Sequence, residues 1–169
     1  PLLAVLDMAG VAVFAVSGAL AAARIKQTIV TFAFFAAITG IGGGTLRDLL
    51  IGAPVFWVGR SDYLGICLVA AASAWLFKAD RWRLNALLWF DALGLGAYSV
   101  LGAANALSLG VPPLPAVGMG VLTASFGGIV RDLLAGEPSI LLRREIYVSA
   151  AALGAGTYVG LPLLGMSLW

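Results

Sequence analysis

The sequence predicts an all-α integral membrane protein with six transmembrane helices arranged as two inverted three-helix repeats. Hydrophobic residues make up 62% of the 169 residues and charged residues only 11%, whereas about a quarter of the residues in a soluble domain are charged. Eight acidic and ten basic side chains are too few to cover the surface of a water-soluble protein of this length. Apolar runs of span length and an internal duplication point to the same fold class.

Six apolar segments are each about as long as a helix that crosses ~30 Å of hydrocarbon. Their approximate bounds are 2–23, 29–50, 62–78, 85–107, 113–135 and 146–165. Short stretches of polar or helix-breaking residues separate them, and none of these stretches can hold a domain of its own. We therefore expect a single membrane domain.

A twelve-residue pattern occurs twice, at 43–54 and at 127–138, with an offset of 127 − 43 = 84. Each copy contains a Gly pair and an Arg-Asp dipeptide in an otherwise apolar stretch. The same offset superposes further pairs: Asp7 on Asp91, Gly10 on Gly94, Gly18 on Gly102, Thr39 on Thr123, Arg60 on Arg144, and Tyr63 on Tyr147. An ungapped duplication therefore predicts two repeats, 1–84 and 85–168.

The basic residues predict the orientation of the chain in the membrane. The second and fourth loops contain only Arg60, whereas the first, third and fifth contain seven basic residues: Arg24, Lys26, Lys78, Arg81, Arg83, Arg143 and Arg144. Basic loops face the cytoplasm, so we expect a multi-pass protein of the cell (inner or plasma) membrane with odd-numbered loops inside and the N-terminus outside. Because each repeat has an odd number of spans, the second repeat is expected to be inverted relative to the first.

Glycines mark the middle of the second and fifth spans. Gly42, Gly43 and Gly44 are consecutive, and Gly127 with Gly128 repeats the last two. Each such glycine costs about 1 kcal/mol relative to Ala in a helix, and such a run is typical of a kink or an unwound turn. We expect both helices to bend there, where irregular backbone lies against protein or a wet cavity. Tight helix contact alone is the better interpretation for most other glycines.

Two Arg-Asp dipeptides, Arg47-Asp48 and Arg131-Asp132, follow the glycines within the same spans. An ionisable group in a span costs at least ~2.5 kcal/mol and by default marks a functional site. Neighbouring helix residues point about 100° apart, so Arg47 is not expected to neutralise Asp48. The expected partners are the other repeat or Asp7 and Asp91. Two alternatives stay open: a static ion-pair latch that conducts nothing, and side chains that snorkel to the interface.

Asp7 and Asp91 stand at equivalent depths in the first span of each repeat. With the two dipeptides they give four Asp and two Arg inside the spans, a balance of −2 that favours cations in a permeation path. Thr39, Thr123 and Ser125 lie beside the glycines, where their hydroxyls could replace part of an ion's hydration. The alternative for each hydroxyl is a hydrogen bond to its own helix.

The composition excludes several classes of function. The chain has no His and a single Cys, Cys67, so the common metal ligand sets and His-based triads are absent. Since no nucleophile–base pair can be assembled either, we predict neither an enzyme nor a cofactor. Basic residues in a membrane protein mainly set orientation, so the net charge of +2 does not indicate a nucleic-acid partner.

The doubled Gly-Gly-x-x-Arg-Asp motif and the 3 + 3 inverted duplication resemble the trimeric intracellular cation (TRIC) channel family in its prokaryotic branch. This resemblance, which covers the whole chain, implies a homotrimer in membrane lipid with one hourglass pore in each subunit. It implies passage of potassium and sodium along the kinked second and fifth helices. Family members have seven spans, so a seventh helix is expected to be truncated after Trp169.

The resemblance also supplies a rival function, because related bacterial sequences are labelled glycine transporters. In that alternative the chain is a secondary carrier for a small zwitterion such as glycine. Half-helix N-termini at Thr45 and Ile129 would bind the carboxylate, and Asp residues would bind the ammonium. A third class, a scaffold held by latched ion pairs, predicts no flux.

Overall fold

Six α-helices make up the part of the chain that the structure describes. The computed structural model describes residues 2–77, 83–138 and 145–165. The helices are α1 (Leu2–Arg24), α2 (Ile29–Ile51), α3 (Asp62–Leu76), α4 (Arg83–Ser108), α5 (Pro113–Leu134) and α6 (Glu145–Leu163). Each coincides with one of the six apolar segments to within a few residues, so the all-helical prediction is confirmed.

The helices differ in whether they can cross a membrane alone. Among the residues that the structure describes, four helices are long and apolar enough to do so: α1, α2, α4 and α5. Helix α3 has only 15 residues, which extend ~22 Å against ~30 Å of hydrocarbon. The expectation that segment 62–78 is one full span is therefore wrong for the residues described, because the helix ends at its C-cap Phe77.

Left-handed glycines lie at the C-terminal ends of α2 and α5, four residues beyond the Asp of each Arg-Asp dipeptide. Gly52 has φ 75° and Gly136 has φ 67°, a conformation in which side chains other than glycine are disfavoured. The following N–H donates to the carbonyl five residues back, at 2.9 Å for Ala53 and 3.0 Å for Glu137. These Schellman motifs fix the ends of the two helices at equivalent positions of the repeats.

The helices pack as two groups of three. Helices α1, α2 and α3 pack against one another, as do α4, α5 and α6. The groups meet where α1 packs against α4 and where α2 packs against α5. The two groups correspond to the predicted repeats 1–84 and 85–168 except that α4 begins at Arg83, and the division at that boundary stays a prediction.

Helices α1 and α4 each place a glycine against an aromatic ring of the other helix, at positions that the repeat offset of 84 residues relates. A Cβ on Gly10 would lie 2.3 Å from the ring of Tyr98, and a Cβ on Gly94 would lie 2.8 Å from the ring of Phe14. The glycines are 94 − 10 = 84 residues apart, and so are the rings. Reciprocity of this kind is what a two-fold relation between repeats would produce. The inverted insertion itself stays a prediction.

Many large apolar side chains are exposed, whereas the charged side chains of the two Arg-Asp dipeptides are buried. Val30, Leu114 and Leu133 are 74%, 82% and 75% exposed, whereas Arg131 and Asp48 are 0% and 2% exposed. A soluble protein shows the opposite arrangement. A lipid-facing surface with charges turned toward the bundle interior is typical of a membrane protein.

The C-terminal ends of α1 and α5 lie next to each other. Arg24 Nη2 is 3.5 Å from Glu137 Oε1, so the first and fifth loops start on the same side of the bundle, as expected for two odd-numbered loops. Most of the basic residues behind the orientation prediction lie outside the described residues: Lys78, Arg81, Arg143, Arg144 and the side chain of Arg83. Orientation therefore stays a prediction.

Candidate functional site

The second and fifth helices cross in direct backbone contact at their glycines. A Cβ on Gly43 would lie 2.0 Å from the carbonyl oxygen of Thr123, and a Cβ on Gly127 would lie 2.3 Å from that of Thr39. All four residues belong to the predicted site, and the structure brings them together in one reciprocal contact. Only glycine allows two helix backbones to approach so closely.

The remaining predicted glycines have different neighbours. Gly42 is nearly open, with no atom closer than 3.9 Å to an added Cβ, whereas Gly44 lies under the ring of Phe56 at 2.6 Å. A Cβ added to Gly128 would lie 3.6 Å from Arg131 Nη2 and 3.7 Å from the carboxylate oxygens of Asp91. Helices α2 and α5 are continuous through these positions, so the unwound turn weighed from the sequence is not found among the described residues. The kink stays a prediction.

Arg47 and Asp48 form a buried ion pair with each other. Arg47 Nη2 lies 2.7 Å from Asp48 Oδ1, and both side chains are 3% exposed. Asp48 Oδ2 accepts the backbone N–H of Phe56 at 2.9 Å. The expectation that Arg47 could not neutralise its neighbour is therefore wrong. The Cβ atoms diverge, but a long arginine side chain can turn back along the helix surface to reach the adjacent carboxylate.

Arg131 binds two carboxylates. Its Nη2 lies 2.7 Å from Asp132 Oδ1, which repeats the pairing of adjacent residues seen in the first dipeptide. Its Nη1 also lies 2.6 Å from Asp91 Oδ1, and it donates to the hydroxyl of Ser17 on α1. The sequence expectation of a partner at Asp91 is therefore correct for Arg131. Guanidinium groups suit this role because their donors point in several fixed directions.

Asp91 is surrounded by donors from three helices. Besides Arg131 of α5, the hydroxyl of Ser17 donates to Asp91 Oδ1 at 3.2 Å, and the hydroxyl of Tyr147 on α6 donates to Asp91 Oδ2. Asp91 is 2% exposed. A buried carboxylate in this setting is stabilised because it has both a cation and hydrogen-bond donors.

Asp7 has tyrosine hydroxyls as its partners. Tyr63 donates to Asp7 Oδ2 at 2.6 Å, and Tyr98 lies 3.1 Å from Asp7 Oδ1 and 2.9 Å from its carbonyl oxygen. Among the described residues no guanidinium or ammonium forms an ion pair with Asp7. This carboxylate is half-buried, so it is more accessible than its counterpart Asp91.

Two of the three predicted hydroxyls bond to their own helix. Thr123 donates to the Met119 carbonyl at 2.6 Å, and Ser125 donates to the Val121 carbonyl at 2.7 Å. The alternative reading of these two hydroxyls is thereby confirmed. Thr39 Oγ1 is buried and has no hydrogen-bond partner in the described part of the chain.

Sequence reasoning missed the aromatic residues that complete the site. Tyr63 and Tyr147 were recognisable as a repeat-matched pair, and each lies 56 residues beyond the Asp that it binds. Phe56 and Trp57 gave no signal, because they lie in a loop without a matching motif. Trp57 Nε1 donates to Thr45 Oγ1 at 2.9 Å, which ties this loop to α2.

The described residues hold no group of three or more His, Cys, Asp or Glu side chains placed to bind a metal ion. The four carboxylates instead meet arginine, tyrosine, serine and backbone donors. The two Arg and four Asp lie on α1, α2, α4 and α5, and their formal charges sum to an excess of negative charge.

Comparison with known proteins gives the family. The chain is 41% identical over 159 residues to a UPF0126 membrane protein of Vibrio cholerae, covering 90% of this chain and 65% of that protein. It is 37% identical over 155 residues to the UPF0126 inner membrane protein YadS of Escherichia coli K12, covering 88% of this chain and 73% of that protein. A solved TRIC trimeric intracellular cation channel orthologue from Rhodobacter sphaeroides superposes with a TM-score of 0.92 at 46% identity, covering 97% of this chain and 86% of that chain. This chain belongs to the TRIC channel family.

The TRIC assignment agrees with the family model described as glycine transporter, which matches residues 4–79 and 88–162. The chain is thus a multi-pass membrane protein with a TRIC fold. It spans 65% of the length of the Vibrio relative. The two matched blocks correspond to three helices each, and both contain one copy of the Gly-Gly-x-x-Arg-Asp motif.

Proposed function

We propose that this TRIC-family chain conducts monovalent cations, potassium and sodium, along an hourglass path through each subunit of a homotrimer. The observation that carries the proposal is the set of four Asp against two Arg on α1, α2, α4 and α5, the helices through which the two groups of three meet. Support comes from the solved structures that it resembles, which are described as TRIC cation channels. A fixed negative excess in a low-dielectric path selects cations over anions.

The waist of the path is proposed to lie at the glycine crossing. There α2 and α5 touch through Gly43 and Gly127, with Asp7 and Asp48 near one mouth and Asp91 near the other. In this structure the backbones are in contact, so conduction requires the two helices to separate or bend. Helices without Cβ atoms at the contact can slide or bend with little steric resistance.

Arg47 and Arg131 are proposed to act as a gate or a latch beside the waist. Each guanidinium is buried against a carboxylate at 2.7 Å. A fixed cation in a cation path must be neutralised or moved before ions pass. Because each arginine is carried on a helix that contains the glycines, bending of α2 or α5 would move it.

The orientation proposed from the basic loops places the N-terminus outside and the odd-numbered loops in the cytoplasm. A bacterial inner or plasma membrane is the proposed location, since the relative YadS is named an inner membrane protein. In this orientation Asp7 lies near the outer mouth and Asp91 near the inner mouth. Membrane lipid is the only other partner proposed.

Planar-bilayer recording of the purified full-length protein tests the proposed function. Under a potassium chloride gradient we expect unitary current steps and a reversal potential close to the potassium equilibrium potential. Substitution of sodium for potassium should preserve the steps. A reversal potential near that of chloride, or no current from protein that folds and assembles correctly, would contradict a cation channel.

A carrier for a small zwitterion is the second candidate, favoured by the description of the matching family model as glycine transporter. In this alternative, the carboxylate of the zwitterion binds to half-helix N-termini at Thr45 and Ile129. Both residues lie inside continuous helices, Ile29–Ile51 and Pro113–Leu134, so their N–H groups are not free helix ends. Saturable uptake of labelled glycine into vesicles, without unitary currents, would establish the carrier.

A further inference from the structure

The two repeats hold equivalent charged residues in different arrangements. The repeat offset superposes three pairs of residues: Asp7 on Asp91, Tyr63 on Tyr147, and Arg47 on Arg131. In both repeats the tyrosine hydroxyl donates to the aspartate. Arg131 also binds Asp91, at 2.6 Å, whereas Arg47 forms no ion pair with Asp7 among the described residues. We call Asp91, Tyr147 and Arg131 the closed cluster, because the arginine binds the aspartate. We call Asp7, Tyr63 and Arg47 the open cluster, because there the arginine does not bind it.

Phe56 occupies the space beside Arg47 in the open cluster. The guanidinium carbon of Arg47 lies 5.9 Å from the centre of the Phe56 ring, a cation–π distance. On its other side the Phe56 ring meets the Tyr63 ring edge to face, with centres 4.7 Å apart. Contacts thus run from Arg47 through Phe56 to Tyr63, and from Tyr63 to Asp7.

Two residues of the Gly-Gly-x-x-Arg-Asp motif, Gly44 and Asp48, contact Phe56 and fix its position. Its backbone N–H donates to Asp48 Oδ2 at 2.9 Å. Its ring lies against Gly44, where an added Cβ would be 2.6 Å from Cε1. The neighbouring Trp57 is tied to α2 through Thr45. The loop is therefore held against α2 by two hydrogen bonds and one close glycine contact.

The counterpart of Gly44 in the second repeat has charged neighbours. Gly128 is the counterpart of Gly44. A Cβ added to Gly128 would lie 3.6 Å from Arg131 Nη2 and 3.7 Å from the carboxylate oxygens of Asp91. The residue at the counterpart of Phe56 is Ile140, which lies outside the described residues. An isoleucine has no aromatic face that could attract a guanidinium.

We propose that Phe56 is a wedge that keeps Arg47 away from Asp7, so that Asp7 remains open to a passing cation while Asp91 is neutralised by Arg131. Opposite charges attract strongly in a low-dielectric interior. Without the wedge, Arg47 would turn to Asp7, as Arg131 turns to Asp91. The tyrosine hydroxyls orient Asp7 without cancelling its charge. Phe56 is thus a positioning residue that makes the two mouths chemically different, and its role in selectivity rests on the proposed channel function.

A double-mutant cycle tests the wedge without measuring conduction. Asp7→Asn and Arg47→Gln are made singly and together in the full-length protein, and the apparent melting temperature is measured. We expect the two shifts to add in the native background, because the side chains do not pair. In a Phe56→Ile background, which carries the residue of the second repeat, we expect clear non-additivity from the new ion pair.

The second repeat provides the matched control. The same cycle on Asp91→Asn and Arg131→Gln should be non-additive in both backgrounds, because that ion pair is present already. If Phe56→Ile does not yield folded protein, Phe56→Leu takes its place with the same expectation. Coupling between Asp7 and Arg47 in the native background, or additivity in both backgrounds, would overturn the proposal.

Reversal potentials under a salt gradient test the consequence for selectivity. Phe56→Ile should lower the cation-over-anion permeability ratio to that of Asp7→Asn, and the double variant should show no further loss. Val58→Ile, an exposed position in the same loop, should leave the ratio unchanged. An unaltered ratio in Phe56→Ile overturns the selectivity role. Absence of all conduction would refute the channel function, while the melting-temperature cycle would still decide the wedge.

Discussion

Gly43→Ala tests the close approach of α2 and α5. The added methyl group would lie 2.0 Å from the carbonyl oxygen of Thr123, whereas real Cβ contacts essentially never fall below 3.0 Å. The two helices must therefore move apart by at least 3.0 − 2.0 = 1.0 Å. Because the opposing atom belongs to the backbone of α5, no side-chain rotation can relieve the overlap.

The expected cost is that of overpacking a tight interior contact, about 1–3 kcal/mol. Gly42→Ala is the matched control, because its methyl group would meet no atom closer than 3.9 Å. Both substitutions gain the same helix propensity, up to about 1 kcal/mol. The difference between the two variants therefore isolates the steric term and should lower the melting temperature of Gly43→Ala relative to Gly42→Ala by ~2–12 °C.

Thermal unfolding of both variants in the same detergent measures this difference, and single-channel recording on the same preparations measures conduction. Gly127→Ala should behave like Gly43→Ala, since its methyl group would lie 2.3 Å from the Thr39 carbonyl oxygen. If Gly43→Ala and Gly42→Ala melt at the same temperature and conduct equally, the helices do not meet as the structure has them and the steric reasoning is refuted.

Three further substitutions test the charged clusters. Arg131→Gln removes the cation of two buried carboxylates, Asp91 and Asp132, and should cost about 3–5 kcal/mol. Arg47→Gln removes the cation of Asp48 and should cost less; equal losses of melting temperature would contradict this ranking. Tyr147→Phe removes one hydrogen bond to the Asp91 carboxylate and should cost about 1.5–3 kcal/mol, measured by thermal unfolding; an unchanged melting temperature would show that the bond contributes nothing. Asp7→Asn should lower cation-over-anion selectivity in reversal-potential measurements while the protein stays folded, and a native value would show that this carboxylate does not face the path.

Much of the fold could be predicted from local pattern. Hydropathy placed all six helices, because in lipid each spanning segment must satisfy its own backbone hydrogen bonds and is apolar over its length. The limits of α3 were less accurate, since hydropathy did not show that the helix stops at Leu76. The repeat offset drew attention to Gly43 and Gly127, where the structure shows a close helix crossing, and the expected kink stays a prediction.

The sequence named charged residues for the candidate site, but only some of the contacts that the structure shows for them. Asp91 was named as a partner for an arginine, and Arg131 binds it at 2.6 Å. Pairing within Arg47-Asp48 was not expected, because helix geometry describes where Cβ atoms point and not where a flexible arginine ends. Phe56 could not be found from the sequence, since a loop aromatic acquires its role only from the helices that it touches.

The sequence by itself determined which segments enter the membrane, that they are duplicated, and which charged residues and glycines stand inside them. These properties follow from composition and spacing along the chain. Only the tertiary structure decided that the crossing glycines meet carbonyl groups of the opposite repeat, that Asp91 binds Arg131, and that Asp7 binds two tyrosines. Partner choice depends on how α1 to α6 are placed relative to one another, and side chains within a few ångströms in space lie up to 114 residues apart in the chain.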